Sequence, residues 1–380
     1  MQIENFITDR AGSLITTPQG YAAFVPGDLP PSIALDLPMV RAIAEAERAL
    51  GNLSGVGSTL LNPHLLIRPF MRKEAVLSSR IEGTQASLSD LFFFEAAGAP
   101  ERDQSDVREV SNYVRALEYG LERVHELPVS NRLLRELHAI LMTGVRGDDA
   151  TPGEFRTTQN WIGASRRLEE AVFVPPPVDQ MNAALGRLEQ FLHAPTELPF
   201  LVWLAVIHYQ FEAIHPFRDG NGRIGRLLLV LLLCIHGALC EPLLYLSAFF
   251  ERNRPRYYEL LLAVSQRGEW EAWIRFFLQA VDEQSRDAVS RATKLNELLG
   301  EFRRRLQSAR TSALLLRAVE ELFRSPATTI PMLKSILGVS YPAAQQIVEK
   351  LIGANILVEV TGQQRNRIYF APAIVRVIED

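Results

Sequence analysis

Twelve consecutive residues near the middle of the chain, His215-Pro216-Phe217-Arg218-Asp219-Gly220-Asn221-Gly222-Arg223-Ile224-Gly225-Arg226, gather the side chains best suited to chemistry. They lie between two apolar runs, Phe200 to Ile214 and Leu227 to Ile235, which predict core helices. Gly220-Asn221-Gly222 precedes the second run, and Ile224 and Gly225 complete the stretch. Glycines there let the backbone turn its amides toward an anion at the positive end of the helix dipole. Arg223 and Arg226 are three apart, hence on one helical face, and both can aim guanidinium forks at a polyphosphate. Asp219 is a single carboxylate among cations, and a single carboxylate with substrate phosphates is how Mg²⁺ is usually held. His215 ends the preceding helix, where an imidazole can serve as general base on a hydroxyl. Phe217 anchors the loop in the core. Each part alone has an ordinary reading, as a cap, a turn or a solvated arginine; their joint occurrence points to a phosphorus centre attacked by an activated hydroxyl. The spacing matches neither GxxxxGK(S/T) nor GxGxxG.

This stretch resembles the signature of the Fic family, HPFx(D/E)GNGRxxR, at every specified position. The resemblance spans about residues 60 to 280. It implies transfer of AMP from ATP to a Ser, Thr or Tyr hydroxyl of a target protein, the protein itself included, with release of pyrophosphate. On that basis His215 is the base, Asp219 the Mg²⁺ ligand, Gly220, Asn221 and Gly222 hold the α-phosphate region, and Arg223 and Arg226 bind the β- and γ-phosphates. Residues 160 to 174 read as a short hairpin, with a turn at Gly163 to Arg167 and a β-prone Ala171-Val172-Phe173-Val174 before three prolines. It looks like the family's flap, which clamps the target segment by strand addition, with Ala171, Val172 and Phe173 as lining residues. Tyr257 and Tyr258, after Arg256, match the aromatic pair beside the adenine.

A second stretch, Ser78-Ser79-Arg80-Ile81-Glu82-Gly83, places Glu82 in the last turn of its helix, where the macrodipole disfavours a carboxylate. A partner elsewhere would explain it; a solvated glutamate would cost only about a few tenths of a kcal/mol. The stretch resembles the family's inhibitory motif, (S/T)xxxE(G/N), with Ser78, Glu82 and Gly83 in register. The resemblance implies that Glu82 pairs with Arg226 within one chain and denies it to the γ-phosphate. It further suggests that Glu82 orients a water for removal of AMP.

The elements that must position these residues are mostly helical. Residues 1 to 37 read as an irregular or short-strand arm. Helices are predicted over Met39 to Leu50 (stopped by Gly51), Pro63 to Ile81 with Pro69 as a kink or restart, Asp106 to Val124, and Arg132 to Met142 behind an N-cap at Ser130. Further helices are predicted over Val178 to His193, Phe200 to Ile214, Ile224 to His236, Pro255 to Ser265 and Glu269 to Ala280. Residues 281 to 310 read as one linking helix. Helices at Ala313 to Phe323, Ile330 to Leu337 and Ser340 to Ile352, then β-like runs at Ile356 to Val360 and Arg367 to Phe370, have the layout of a winged helix. The predicted fold is thus mostly α: a Fic-type helical bundle with a β-hairpin flap plus a C-terminal winged helix. Its expected divisions are an arm and inhibitory region (1–110), a catalytic core (111–280), the linking helix (281–310) and the winged helix (311–380).

The 380 residues, 47% hydrophobic with net charge −4, are those of a globular protein and give no global case for nucleic acid or anionic membrane. Cys234 and Cys240 read as buried thiols in a reducing compartment, and the first residues show no secretory signal, so a cytoplasmic protein is expected. Residues 311–380 carry seven basic and six acidic side chains, a weak footprint for DNA, with Arg365 and Arg367 the best candidates. Dimerisation or target docking is an equal role for that module, and a homodimer is expected. Two rival readings stay open: a DNA-binding regulator with a vestigial enzymatic body, and transfer from another nucleotide donor such as UTP.

Overall fold

The computed structural model describes residues 1–59, 64–97, 105–145, 151–163, 167–306 and 313–379. The arm, read as irregular or short-strand, forms an antiparallel pair: β1 (Gly12–Thr16) runs against β2 (Ala22–Pro26), with Gly12 opposite Pro26. Eleven helices follow: α1 (Leu37–Thr59), α2 (His64–Ile81), α3 (Leu88–Ala97), α4 (Ser105–Arg123), α5 (Asn131–Leu141), α6 (Val178–His193), α7 (Phe200–Ile214), α8 (Asn221–Ile235), α9 (Ser247–Arg252), α10 (Arg254–Arg267) and α11 (Trp270–Leu306). The chain ends with α12 (Ala313–Arg324), β3 (Ala327–Thr328), α13 (Ile330–Leu337), α14 (Tyr341–Gly353), β4 (Val358–Glu359), β5 (Tyr369–Phe370) and α15 (Pro372–Glu379), its antiparallel sheet ordered β3-β5-β4. The protein is mostly helical with small antiparallel sheets.

α7 and α8 are buried around nearly their whole circumference, as their unbroken apolar sequence requires. They pack against each other, and α2, α4 and α5 pack on α8. The loop between α7 and α8 is therefore gripped at both ends by core helices. Ser130 caps α5 by accepting the Leu133 amide at 3.3 Å.

Several expectations need correction. α1 does not stop at Gly51: Leu53 is buried in line with Met39, Ile43, Ala46 and Leu50 along α11, and this apolar stripe carries the helix to Thr59. α2 runs unbroken through Pro69. The hairpin at residues 160–174 reduces to one antiparallel bridge, Ile162 to Phe173, and residues 168–170 form a turn of 3₁₀ helix; residues 164–166 of the expected turn lie outside the described residues. The two β-like runs of the C-terminal module pair over only two residues each. α3, α9 and α15 escaped the sequence reading. In α3 the run Leu91-Phe92-Phe93-Phe94 has no period that separates helix from strand. Cys234 is half-buried and Cys240 exposed, both free.

The divisions at 110 and 280 fall inside continuous helices, α4 and α11. The C-terminal elements also share the apolar core of the rest. Phe93 of α3 meets Phe370 of β5 edge-on at 5.1 Å. Arg291 of α11 donates to the carbonyls of Val377 (2.9 Å) and Ile378 (3.0 Å) at the end of α15, and α12 packs on α2. Among the described residues, no helix is long and apolar enough to cross a membrane.

Candidate active site

His215 terminates α7 in the left-handed region, at φ 50°, its amide bonded to the Phe211 carbonyl at 3.0 Å. The loop is then closed by Asn221, whose Oδ1 accepts the Phe217 amide and whose Nδ2 donates to the Phe217 carbonyl, both at 2.8 Å. Phe217 is fully buried and stacks on His138, ring centroids 3.8 Å apart. The Gly153 amide donates to His138 Nδ1 at 2.9 Å, so Nε2 carries the proton and donates to the Asp219 carbonyl at 3.0 Å. Gly220, at φ 77°, makes the turn into α8. The free amides of the first turn of α8 then face outward from the loop, as a helix N-terminus dictates.

The His215 side chain is oriented by its own helix. Nδ1 lies 3.2 Å from the Glu212 carbonyl, which can only accept, so Nδ1 carries the proton and Nε2 keeps its lone pair. Burial holds the imidazole down to about 4, helped by the nearby Arg156 guanidinium and opposed by the Glu212 carbonyl, Glu82 and Asp219. The ring is thus neutral at neutral pH.

The two helix arginines are both buried and both already engaged. Arg223 donates to Glu109 at 3.0 Å and lies 3.7 Å from Asp219. Arg226 donates through Nε to Ser78 Oγ (2.8 Å) and through Nη2 to the Ser78 carbonyl (2.9 Å) and Glu82 Oε1 (2.6 Å). α2 ends at Ile81, so Glu82 stands one residue beyond the helix rather than in its last turn, and Gly83 follows at φ 105°. Burial pushes the Glu82 carboxyl up; Arg226 pulls harder the other way, and the group lies below the ordinary carboxylate value. The same pair raises Arg226 further. Gly222 is where α8 meets this carboxylate: a Cβ there would lie 2.2 Å from Glu82 Oε1.

Asp219 points outward, its side chain 60% exposed, with Oδ1 accepting the Gly220 amide at 2.6 Å. No group of three or more His, Cys, Asp or Glu that could cage a metal occurs among the described residues. A lone outward carboxylate beside a helix N-terminus fits a cation that keeps waters and takes its other ligands from phosphates, as Mg²⁺ does. Ile224 and Gly225 lie buried in α8.

The remaining expected residues divide. Tyr257 is buried and bonded to His208 at 2.7 Å, so it backs the site instead of lining it; Tyr258 is 40% exposed, its hydroxyl 3.4 Å from the Ile81 carbonyl. Ala171 and Phe173 turn inward, Ala171 beside Ala23 and Phe173 against Phe24 at 5.6 Å, while Val172 alone is exposed. The β2 backbone joins in, with the Phe24 amide bonded to the Val174 carbonyl at 2.9 Å.

Four residues escaped the sequence reading. Glu74 lies one turn before Ser78 on the same face of α2, with Glu82 four residues farther on, just past the helix end; it binds the Ser247 hydroxyl at 2.5 Å and Tyr113 at 3.3 Å, and burial raises its pKa. The i, i+4, i+8 spacing was readable. Glu109 and His138 could not be linked to the loop from sequence. Glu212 is raised to about 8 by burial, and its Oε1 has no partner against Gly225 of α8.

Two stretches match known domains: residues 40–122 match the Fic/DOC family N-terminal domain, and residues 128–233 the Fic/DOC family domain. Curated relatives include proteins named protein adenylyltransferase Fic from Culex quinquefasciatus, 31% identical over 153 residues (39% of this chain, 27% of that protein), and from Drosophila grimshawi, 28% identical over 162 residues (42% and 30%). This chain thus spans less than a third of the length of these relatives. Among solved structures, a Fic family protein from Desulfovibrio desulfuricans G20 superposes with TM-score 0.58 at 19% identity over 90% of this chain and 98% of that one. Fic-1 from C. elegans does so at 0.54 and 22%, over 69% and 75%. At these identities the likeness is one of fold.

Proposed function

From the matches of residues 40–122 and 128–233 to Fic/DOC domains, we propose that this chain is a protein adenylyltransferase held in check by the end of its own α2. The donor is ATP and the acceptor a Ser, Thr or Tyr hydroxyl on a target protein or on the chain itself. The hydroxyl gives its proton to His215 Nε2, its oxygen bonds the α-phosphorus, and the bond from that phosphorus to the bridging oxygen breaks, so that pyrophosphate leaves. The observation that carries this reading is the Nδ1 contact of His215 with the Glu212 carbonyl at 3.2 Å, which leaves the Nε2 lone pair to take a proton at the start of the loop that leads into α8. The first amides of α8 and Arg223 receive phosphate oxygens. When bound, Mg²⁺ held by Asp219 would neutralise charge on the departing pyrophosphate. The Glu82–Arg226 bond at 2.6 Å supports autoinhibition, since the guanidinium that would take the γ-phosphate is occupied.

The layout of residues 313–379, three helices and a three-stranded sheet followed by the closing helix α15, supports reading the C-terminal module as a winged helix. Arg365 and Arg367 of its wing remain the candidate contacts for DNA.

Label from α-labelled ATP should accumulate on a Glu82→Gly protein and vanish when His215→Ala is added. Competition by unlabelled GTP, CTP and UTP identifies the donor. A Glu82→Gly protein that takes up no more label than the unaltered one would overturn the proposal.

A further inference from the structure

Arg156 is a buried cation that pairs with no carboxylate among the described residues. The residue is 1% exposed, and every hydrogen-bond partner described for its guanidinium is a backbone carbonyl: Nε donates to His215 at 3.0 Å, Nη1 to Thr158 at 3.3 Å, and Nη2 to Pro176. Its own amide donates to the Pro216 carbonyl at 2.9 Å. A buried guanidinium left without a counter-charge is costly, so this arrangement requires explanation.

The three carbonyls sit at telling places. Thr158 lies just before the flap segment 160–174 and Pro176 just after it, while His215 carries the imidazole. Asn160 adds to the same junction, donating to the carbonyls of Phe217 at 2.9 Å and His215 at 3.4 Å. The His215 backbone is left-handed, a strained conformation for a non-glycine residue, and its carbonyl needs donors in that orientation. Arg156 supplies the shorter of the two bonds.

We propose that Arg156 is a positioning residue for the transfer reaction: its guanidinium ties both ends of the flap to the carbonyl of His215, and so fixes the place of the acceptor segment relative to the imidazole. The inference rests on His215 acting as base. The uncompensated charge has a second effect, since it disfavours a protonated imidazole beside it. The other charged groups that act on that ring are Glu82 at the end of α2 and Asp219 in the loop, both of which favour protonation, as does the contact with the Glu212 carbonyl. Burial and Arg156 oppose them.

The test uses the full chain. Arg156→Met and Arg156→Lys are made in a Glu82→Gly background and compared for ATP binding by calorimetry and for transfer to the chain itself. With Arg156→Met, ATP affinity should stay within about twofold while the transfer rate falls roughly 10- to 100-fold, and Arg156→Lys should recover part of the loss. Independently of turnover, NMR of histidine-labelled protein, with His215 assigned by His215→Ala, should show its titration midpoint rise in Arg156→Met. An unchanged midpoint, or equal losses of ATP affinity and transfer rate, would overturn the inference. If Arg156→Met does not fold, Asn160→Ala removes the companion donor and should slow transfer with ATP affinity intact; no slowing there also counts against it. A Glu82→Gly parent that takes up no label defeats the transfer reading itself, and the titration still decides the role of Arg156.

Discussion

Glu82 Oε1 and Arg226 Nη2 stand 2.6 Å apart, and the two partners are unequal: Arg226 is sealed at 2% exposure, whereas Glu82 is 31% exposed. Arg226 is also pinned by Ser78 through two bonds of its own, while no other hydrogen bond is described for the Glu82 carboxylate. The carboxylate is therefore the part that can leave. Self-labelling should rise in the order unaltered protein, Glu82→Gln, Glu82→Gly, because the amide keeps a hydrogen bond to the guanidinium and loses only the charge. Equal labelling by Gln and unaltered proteins would show that charge does not hold the lock.

Gly222 tests the same contact from the other side. A methyl there would lie 2.2 Å from Glu82 Oε1 and 2.9 Å from Arg226 Nη1. Gly222→Ala should destabilise the unaltered protein by about 1–3 kcal/mol through overpacking. In the Glu82→Gly protein it should be close to neutral, since the nearest obstacle is gone and alanine favours the helix. Denaturant unfolding of the four proteins in a double-mutant cycle measures the coupling; additive losses would place the clash elsewhere.

Glu212 governs a pH dependence. Its carboxyl is raised by burial to about 8 from the model-peptide value of 4.5. The folded protein thus holds a proton that the unfolded chain releases, and stability attached to this group is full below about pH 4.5 and is lost as pH rises toward 8. Glu212→Gln removes that loss. Urea unfolding should show the variant gaining more on the unaltered protein at pH 8 than at pH 5, and a gain independent of pH would mean the carboxyl titrates normally.

His215 carries the opposite sign. An imidazole held at about 4 is already neutral throughout the range in which an ordinary histidine, near 6.5, loses its proton. The transfer rate of the Glu82→Gly protein should therefore change little between pH 5.5 and 7.5, where an unperturbed base would lose about tenfold on acidification. Removing Glu82 takes away one group that raises the imidazole, so the variant background only strengthens this expectation.

The chemistry was more legible than the packing around it. His215 through Arg226 fall in one loop and one helix turn, and the spacing of Ser78 and Glu82 survives as two contacts to Arg226. α6, α7 and α13 begin and end where their periodic sequence says. What sequence could not provide was direction. Tyr257 and Tyr258 are neighbours in a helix, so one necessarily faces the core when the other does not. Ala171, Val172 and Phe173 suit a strand, but Phe24 and Ala23 claim two of them for the core. Arg156 gave no signal in the sequence, because its partners are carbonyls and a carbonyl has no sequence signature.

α11 is 37 residues of uninterrupted helix, a rod of about 55 Å. Near its start, Trp273 donates to the Ala205 carbonyl of α7 at 2.9 Å; farther along, Arg291 holds the end of α15, and Phe302 meets Phe323 of α12 edge-on at 5.8 Å. A rod seated at both ends cannot hinge without breaking consecutive backbone hydrogen bonds. Torque on the C-terminal module is therefore borne by the helix that also buttresses the α7–α8 bundle. Melting should follow suit, with one calorimetric endotherm whose van't Hoff and calorimetric enthalpies agree, where two loosely tethered bodies would give two.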